Sequence, residues 1–305
     1  MLTFNNKIVL SNDKWIEKPL PPIGAKTARM KFSNPSFNPK NYTWFNVSAS
    51  AWTEVAPGIW DYHNNSNDWT KAFAYNFEGE DAPTSVAFID SNLEGITNLG
   101  SLFQGTNANA QVTSLDGFNL PSTLTNATMM FQGCRQVQHF PSMANVHNIS
   151  GAFAMFAYCE SMTEVPEGLD VSGVANLNQL FIQCSALTSI TLDVSSATNI
   201  NSLASNCRNL TLLTLQNTGN IQSMQLLCAN CYELTALPTI SSTGVTDCFG
   251  SFSNCYKVNG GALAMYNQLS SQSTLPTQYD RCFRNCGRDT TTGAAELAQI
   301  PSDWK

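Results

Sequence analysis

A cysteine recurs at nearly constant intervals through the middle of this 305-residue chain. Six cysteines are separated by 25, 25, 23, 24 and 24 residues: Cys134, Cys159, Cys184, Cys207, Cys231 and Cys255. The flanking positions keep the same register, with phenylalanine three residues before most of these cysteines and an apolar residue three residues after each. An internal period of this length predicts structural repeats that stack on one another and bury a shared core.

Each repeat is interpreted as a turn, a short helical or 3-10 segment, and a strand. The spacing of three between Phe181 and Cys184 would place both side chains on one helical face. After the cysteine, apolar and hydroxyl residues alternate, as in a strand with one buried face. The apolar positions of that strand are Leu187, Ile190 and Leu192. We therefore predict an α/β repeat fold, a leucine-rich-repeat solenoid of about nine coils with a small β-rich N-terminal cap.

Three domains are predicted from the change in pattern along the chain. Residues 1–20 form a docking tail whose short apolar run would add to a partner's surface or sheet. That run is Lys7, Ile8, Val9 and Leu10. Residues 21–65 form the β-rich cap, with a strand at TARMKFS and a hairpin around Pro57-Gly58. Residues 66–305 form the solenoid with its C-terminal cap.

Two further features of the sequence concern packing. Five of the six tryptophans lie in the first 69 residues. We expect them to be core residues, because tryptophan buries a large area, although platforms for stacking sugar rings are the alternative. Near the other end, apolar residues at Ala262, Leu263, Tyr266 and Leu269 have the spacing of a short amphipathic helix.

The charge pattern argues against two classes of partner. The chain carries 15 Lys and Arg against 22 Asp and Glu, a formal net charge of -7, with charged residues only 12% of the total. Nucleic-acid binding lacks the basic stripe that it requires. No apolar stretch approaches the ~18 residues of a membrane span, so we expect no membrane insertion. The N-terminus lacks the pattern of a secretory signal peptide, which predicts synthesis in a cytoplasm.

The ten cysteines allow three interpretations. The first is a column of buried, reduced thiols that pack as small apolar groups. The second is disulfide formation, which a chain made in a cytoplasm disfavours. The third is zinc, because Cys228-x-x-Cys231 and the pair Cys282 and Cys286 have ligand-like spacing. The first is favoured, since Cys228 already occupies the phenylalanine position of its repeat. We expect no metal and no cofactor.

Catalytic groups are scarce. The only histidines are His63, His139 and His147, and no acid pairs with His139 in its own repeat, as a catalytic triad would require. Glu160 and Glu164 are interpreted as solvated charges rather than the carboxylate pair of a glycosidase. No phosphate-binding glycine motif occurs. We therefore predict that the protein is not an enzyme.

The repeat resembles a known bacterial family. The unit LNQLFIQCSALTSITLDVSSATNI is similar to units of the bacterial surface leucine-rich-repeat (BspA-like) family. The matching positions are Asn176, Leu180, Phe181, Cys184, Leu187 and Thr188. The family includes bacterial adhesins and many virus-borne proteins, so the resemblance implies the fold more specifically than the function. Ala204 and Cys228 depart from the family pattern by replacing the phenylalanine.

A narrower resemblance concerns both ends of the repeat region. The segments WTEVAPGIWDYHNNSNDWTKAF and CGRDTTTGAAELAQIPSDWK resemble repeat proteins of gut bacteriophages or prophages of the Bacteroides type. This implies a protein of the virion or its tail, assembled in the host cytoplasm, with other virion proteins as partners and a homo-oligomeric arrangement in the assembly. The other hypotheses are a bacterial cell-surface adhesin or carbohydrate-binding module and, from another class, a depolymerase.

The outward strand positions are the predicted contact surface. Inward positions are fixed by packing, so partner-specific variation has to lie on the outward ones. These positions are His139, Glu164, Ser189, Thr191, Leu212 and Thr214. The hypothesis is that this row binds a neighbouring virion protein, a host glycan or a host protein.

Overall fold

The protein is described here from a computed structural model. It covers residues 9–11, 14–16, 20–41, 48–73, 83, 85–103 and 112–305. The described strands are β1 (Val9–Ser11), β2 (Lys14–Ile16), β3 (Thr27–Phe32), β4 (Trp52–Ala56), β5 (Ile59–His63), β6 (Val86–Asn92), β7 (Val112–Ser114), β8 (Ser189–Asp193) and β9 (Leu212–Gln216). The helices are α1 (Ala262–Ser270) and α2 (Thr291–Gln299), with 3-10 turns at Pro39–Asn41, Ala49–Ala51, Thr218–Asn220 and Ser302–Trp304.

A mixed five-stranded sheet forms the N-terminal end of the core. Its strand order is β4-β5-β3-β6-β7, antiparallel except for the parallel pair β6 and β7. The strand at TARMKFS and the hairpin around Pro57-Gly58 are confirmed, since β4 and β5 pair on either side of Gly58, whose φ of 70° suits the turn. The sheet contains strands from both sides of residue 65, and the predicted domain boundaries stay predictions.

Aromatic side chains fill the space beneath this sheet. Trp52, Trp60 and Trp69 are all at least 96% buried, which confirms the core interpretation for these three tryptophans. Tyr62 contacts Trp52 and Trp69 at ring-centroid distances of 5.2 and 4.9 Å. Trp44 lies outside the described residues, as does the side chain of Trp15.

The cysteine repeat corresponds to stacked turn segments, which we call the turn stack. Its segments end at Cys134, Cys159, Cys184, Cys207, Cys231, Cys255 and Cys286. Isolated parallel bridges link the segments at their starts, for example Asn126 to Gly151 and Asn199 to Ser223. The phenylalanine column runs through the interior, where Phe156 and Phe181 stack at 5.4 Å with 7° between the rings.

The predicted α/β leucine-rich-repeat solenoid of about nine coils is wrong. Sheet dominates the regular structure of the described residues, with only two α-helices, both near the C-terminus, and with the mixed five-stranded sheet as its largest element. The predicted helical segments carrying Phe and Cys are turns instead. In the segment that ends at Cys134, Met129 and Gly133 have φ of 54° and 79°, values that a right-handed helix cannot contain.

These segments are neither helix nor strand because successive backbone amides bond in two different directions, every second one to the next segment and the others within the turn. The amides of Met129, Phe131 and Gly133 bond to the next segment at 2.8–2.9 Å, to the carbonyls of Phe153, Met155 and Ala157. The amides between them, of Met130 and Gln132, close turns three residues back. Each buried donor therefore has a partner without a regular helix or ladder.

Proline restricts the strands that follow the six regularly spaced cysteines to two repeats. The seventh residue after the cysteine is Pro141, Pro166, Thr191, Thr214 and Pro238 in successive repeats. Only the two repeats with threonine there form the parallel pair β8 and β9. Proline has no backbone N–H to donate to a ladder, which accounts for irregular chain on either side of this pair.

The two helices lie against the last repeats. α1 confirms the helix predicted from Ala262, Leu263, Tyr266 and Leu269. α2 begins after Thr290, whose hydroxyl accepts a hydrogen bond from the Gly293 amide at 3.0 Å. Trp304 then packs on Tyr279 at 4.5 Å and so covers the end of the core.

Candidate functional site

The position before each cysteine has a left-handed backbone throughout the turn stack. From the fourth segment on, this position is asparagine, at Asn206, Asn230, Asn254 and Asn285, with φ between 57° and 62°. Asparagine tolerates this conformation better than most residues. The side-chain amides of the last three also donate to the side-chain Oδ1 of the preceding asparagine, at 3.0, 2.8 and 2.8 Å. We call this row the asparagine ladder.

The cysteine thiols lie inside the turn stack and bond to backbone carbonyls. The Sγ atoms of Cys184 and Cys207 lie 3.1 Å from the carbonyl oxygens of Phe156 and Phe181. All ten cysteines are free and buried. Burial raises the pKa of Cys207 to about 12, and it also raises the pKa of Cys134, Cys159 and Cys184. At neutral pH these thiols are protonated, whereas a nucleophile or metal ligand has to be a thiolate.

The Cys228-x-x-Cys231 pair does not converge on one point. The Cys228 Sγ lies 3.6 Å from the carbonyl of Ser251, in the following segment, whereas the Cys231 Sγ lies 3.1 Å from that of Ala204, in the preceding one. Within the described part of the chain, no three His, Cys, Asp or Glu side chains lie together as a metal site would need. The cysteine pattern is accounted for by packing.

Four of the predicted contact residues lie together on β8 and β9. Ser189 pairs with Leu212 and Thr191 pairs with Thr214 across the parallel strands. Ser189 and Thr191 are exposed, Thr214 is half-buried, and Leu212 has 49% of its surface exposed. Their inward neighbours Ile190 and Leu213 are buried. The alternation read from the sequence therefore places these four side chains on one outer face.

The other two contact residues form an exposed pair. His139 Nδ1 and Glu164 Oε1 lie 3.2 Å apart, and the side chains are 66% and 70% exposed. Their two repeats are linked by a backbone hydrogen bond, which the Thr163 amide donates to the Gln138 carbonyl at 3.4 Å. Among the described residues, no strand joins this pair to β8, because Pro166 interrupts the ladder. The six residues thus form two groups: the His139–Glu164 pair and the β8–β9 face.

The predicted docking residues are only partly described. Lys7 and Ile8 lie outside the described residues. Val9 and Leu10 belong to β1, whose backbone pairs antiparallel with β2, Leu10 lying opposite Trp15. Whether this hairpin docks to a partner stays a prediction.

A polar pocket was not predicted from the sequence. It is lined by Glu160, Gln183, Ser185, Asn206 and Arg208 and encloses about 220 Å³. Glu160, Ser185 and Arg208 each follow a cysteine directly. These three residues occupy the same position in their repeats, but they are an acid, an alcohol and a base. The sequence therefore does not indicate that they form one site, which depends on the stacking of the repeats.

Comparison with known proteins identifies a family but no close relative. No curated protein and no solved structure matches the chain. Among the described residues, no helix is long and apolar enough to cross a membrane. A family model described as "Mycoplasma protein of unknown function, DUF285" matches residues 71–192 and 167–266, more than half of the chain. The two matches overlap, as expected when one model fits a repeat in two registers. The chain therefore belongs to this family of bacterial surface repeat proteins, in agreement with the BspA-like resemblance of its repeats.

Proposed function

We propose that this protein is a non-enzymatic structural and adhesive protein that binds a partner through the outward face of its repeats. The observation that carries this proposal is the β8–β9 face, where Leu212 is 49% exposed beside Ser189. Leu212 forms an apolar spot among hydroxyl side chains, which a partner would cover on binding. The buried thiols and the exposed His139–Glu164 pair fit this assignment, since neither forms an activated nucleophile with an orienting third group.

The finer part of the proposal is that the protein belongs to a bacteriophage virion, as a tail, fibre or capsid-surface component. It rests on the resemblance of residues 52–73 and 286–305 to repeat proteins of gut phages. In this setting the protein assembles in the host cytoplasm as a homo-oligomer and contacts other virion proteins. The β1–β2 hairpin is the proposed docking segment, because short strand pairs can add to the sheet of a partner.

The virion proposal is tested by composition of purified particles. Mass spectrometry of particles should detect the full-length chain, and particles made with a chain lacking residues 1–20 should contain much less of it. Circular dichroism of the purified truncated chain would check that it still folds. Equal incorporation of the two chains would overturn the docking role, and absence of the full-length chain from particles would overturn the virion assignment.

The second candidate function is that of a bacterial cell-surface adhesin or carbohydrate-binding module. It is favoured by the family match, which is to bacterial surface repeat proteins. Fractionation of producing bacteria separates the two candidates. Recovery of the chain from the cell surface of bacteria without induced phage would support the adhesin, whereas recovery only with particles would support the virion component.

A further inference from the structure

Three consecutive repeats build the polar pocket described above, which we call the Arg208 pocket. Its five lining residues are Glu160, Gln183, Ser185, Asn206 and Arg208. Each has a side chain that can hydrogen-bond, and no apolar side chain lines the pocket. Its volume of about 220 Å³ is smaller than the pockets that hold drug-sized ligands, so it suits one small polar group.

Three of the lining residues are already engaged. Glu160 Oε1 pairs with Arg135 at 2.9 Å, and the Ser185 hydroxyl donates to the Glu160 carbonyl at 3.3 Å. Asn206 donates to the Ser205 hydroxyl and accepts from Asn230. These contacts fix the walls of the pocket in place, so a ligand would meet a largely pre-formed site.

The side chains of Gln183 and Arg208 have N–H donors that are available to a ligand. Within the described part of the chain, neither the Gln183 amide nor the Arg208 guanidinium has a hydrogen bond or ion pair, and Arg208 is exposed. Gln183 occupies the left-handed position that asparagine holds in the next four segments, with φ of 60°. The asparagine ladder stops at Asn206, which leaves the longer Gln183 amide available to the pocket.

The local charge favours an anionic ligand. The Glu160 carboxylate is already paired with Arg135, so the Arg208 guanidinium is the charged group of the pocket that has no ion-pair partner among the described residues. A guanidinium pairs with a carboxylate through two parallel hydrogen bonds. The negative charge of the whole chain disfavours a long polyanion, so one isolated carboxylate fits better.

We propose that the Arg208 pocket binds an acidic sugar residue of the uronic acid type, presented by a surface glycan. Its carboxylate pairs with Arg208, while its ring hydroxyls bond to the Gln183 amide and to the Glu160 carboxylate. All five lining side chains carry hydrogen-bonding groups, which suits the hydroxyls of a sugar ring better than the mixed side chains of an acidic peptide. This inference rests on the adhesive function proposed above and names a ligand class for it.

The test is a titration of the full chain with sodium glucuronate, followed by calorimetry or by NMR of the amide groups. Glucose is the neutral control and N-acetylglutamate is the control for a carboxylate without a sugar ring. We expect saturable binding of glucuronate, at least tenfold tighter than that of either control. Arg208→Gln should weaken glucuronate binding at least tenfold, since it removes the charged partner of the carboxylate.

Two further variants separate the pocket from general effects. Gln183→Asn keeps a residue that tolerates the left-handed backbone but shortens the amide, so it should weaken binding severalfold in a folded chain. Arg284→Gln removes an exposed arginine in another repeat and should leave binding unchanged.

Three results would overturn the proposal: glucuronate binding no tighter than that of glucose, unchanged binding by Arg208→Gln, or tighter binding of N-acetylglutamate, which would indicate a peptide site. If glucuronate binds through Arg208 while the chain attaches to no cell, the pocket assignment stands and the adhesive function fails. If the chain attaches to cells through β8–β9 but does not bind glucuronate, the adhesive function stands and the pocket assignment fails.

Discussion

The side-chain amide of Asn230 donates to the Oδ1 of Asn206 at 3.0 Å, and both residues hold the same left-handed backbone conformation. One residue type thus serves two purposes in this fold. It tolerates a backbone geometry that other side chains resist, and it links consecutive turn segments through their side chains.

Replacement of Asn230 should show both contributions. Asn230→Ala removes two ladder hydrogen bonds and places an alanine at φ of 61°, so we expect a loss of about 2–3 kcal/mol in the free energy of unfolding. Asn230→Gly loses the same bonds without the backbone strain and should cost about 1 kcal/mol less than alanine. Urea unfolding measures both.

The matched control for this comparison is Asn209→Ala, an exposed asparagine with an ordinary φ. It should change the free energy of unfolding by less than about 0.5 kcal/mol. If alanine and glycine at position 230 lower the free energy of unfolding equally, the left-handed conformation does not contribute to the cost of the alanine substitution.

The buried thiols predict a fall in stability at high pH. Burial raises the pKa of Cys207 to about 12 from an ordinary value of 9.0, so the unfolded chain loses this proton first as the pH rises. The folded state then binds more protons than the unfolded state, and the free energy of unfolding falls with pH. Between pH 9 and 12 the expected slope is about 1.4 kcal/mol per pH unit for each such thiol.

Urea unfolding at pH 8, 9 and 10 under reducing conditions tests this slope. The contribution of Cys207 is fully present below pH 9 and is lost as the pH approaches 12. Cys207→Ala should be less stable at pH 8 but should show a smaller fall between pH 9 and 10. An identical pH slope in the two proteins would be inconsistent with a buried neutral thiol at this position.

The N-terminal sheet contains a buried ion pair that should be sensitive to the loss of one partner. Arg29 donates from Nε and Nη2 to the two carboxylate oxygens of Asp61 at 2.6 and 2.8 Å, and its side chain is only 2% exposed. The hydrogen bond with Asp61 raises the pKa of Arg29, against the opposing effect of burial. Asp61→Ala would leave the buried guanidinium without its carboxylate partner and should cost about 3–5 kcal/mol.

The double variant Arg29→Met, Asp61→Leu checks the origin of that loss. It replaces both charges with apolar groups and should recover most of the stability lost in Asp61→Ala. A double variant as unstable as Asp61→Ala would point to lost packing rather than to the loss of the carboxylate partner.

The sequence predicts the repeat well and its local structure poorly. The cysteine and phenylalanine columns are readable because burial restricts these positions to a few residue types. The backbone conformation of the turn segments cannot be predicted in this way. Met129, Gln179 and Leu226 have left-handed φ of 53–61°, although glycine is the residue that usually indicates this conformation. Stacking of neighbouring segments, rather than local preference, imposes this conformation on them.

The same contrast applies to the candidate sites. Ser189 and Thr191 could be placed on the outer face from alternation alone, because a strand has a period of two. The Arg208 pocket could not be found in this way, since Glu160, Gln183 and Arg208 come from three repeats and converge only when these stack. The strands that follow the cysteines are confined to two repeats because Pro166 and Pro238 lack the backbone N–H of a ladder, an effect that the alternation does not show.

The adhesive role of the β8–β9 face is tested most directly by a cell-attachment assay. The assay compares the wild-type protein with the double variant Leu212→Lys, Thr214→Lys in their attachment to host cells. The matched control is Ser273→Lys, Thr274→Lys, which adds the same charge at two exposed positions after α1. Both proteins should fold with nearly wild-type stability, because neither change disturbs a buried side chain. We predict at least a tenfold loss of attachment for the first variant and no change for the control. Wild-type attachment by a folded Leu212→Lys, Thr214→Lys protein would contradict the assignment of this face as the contact surface.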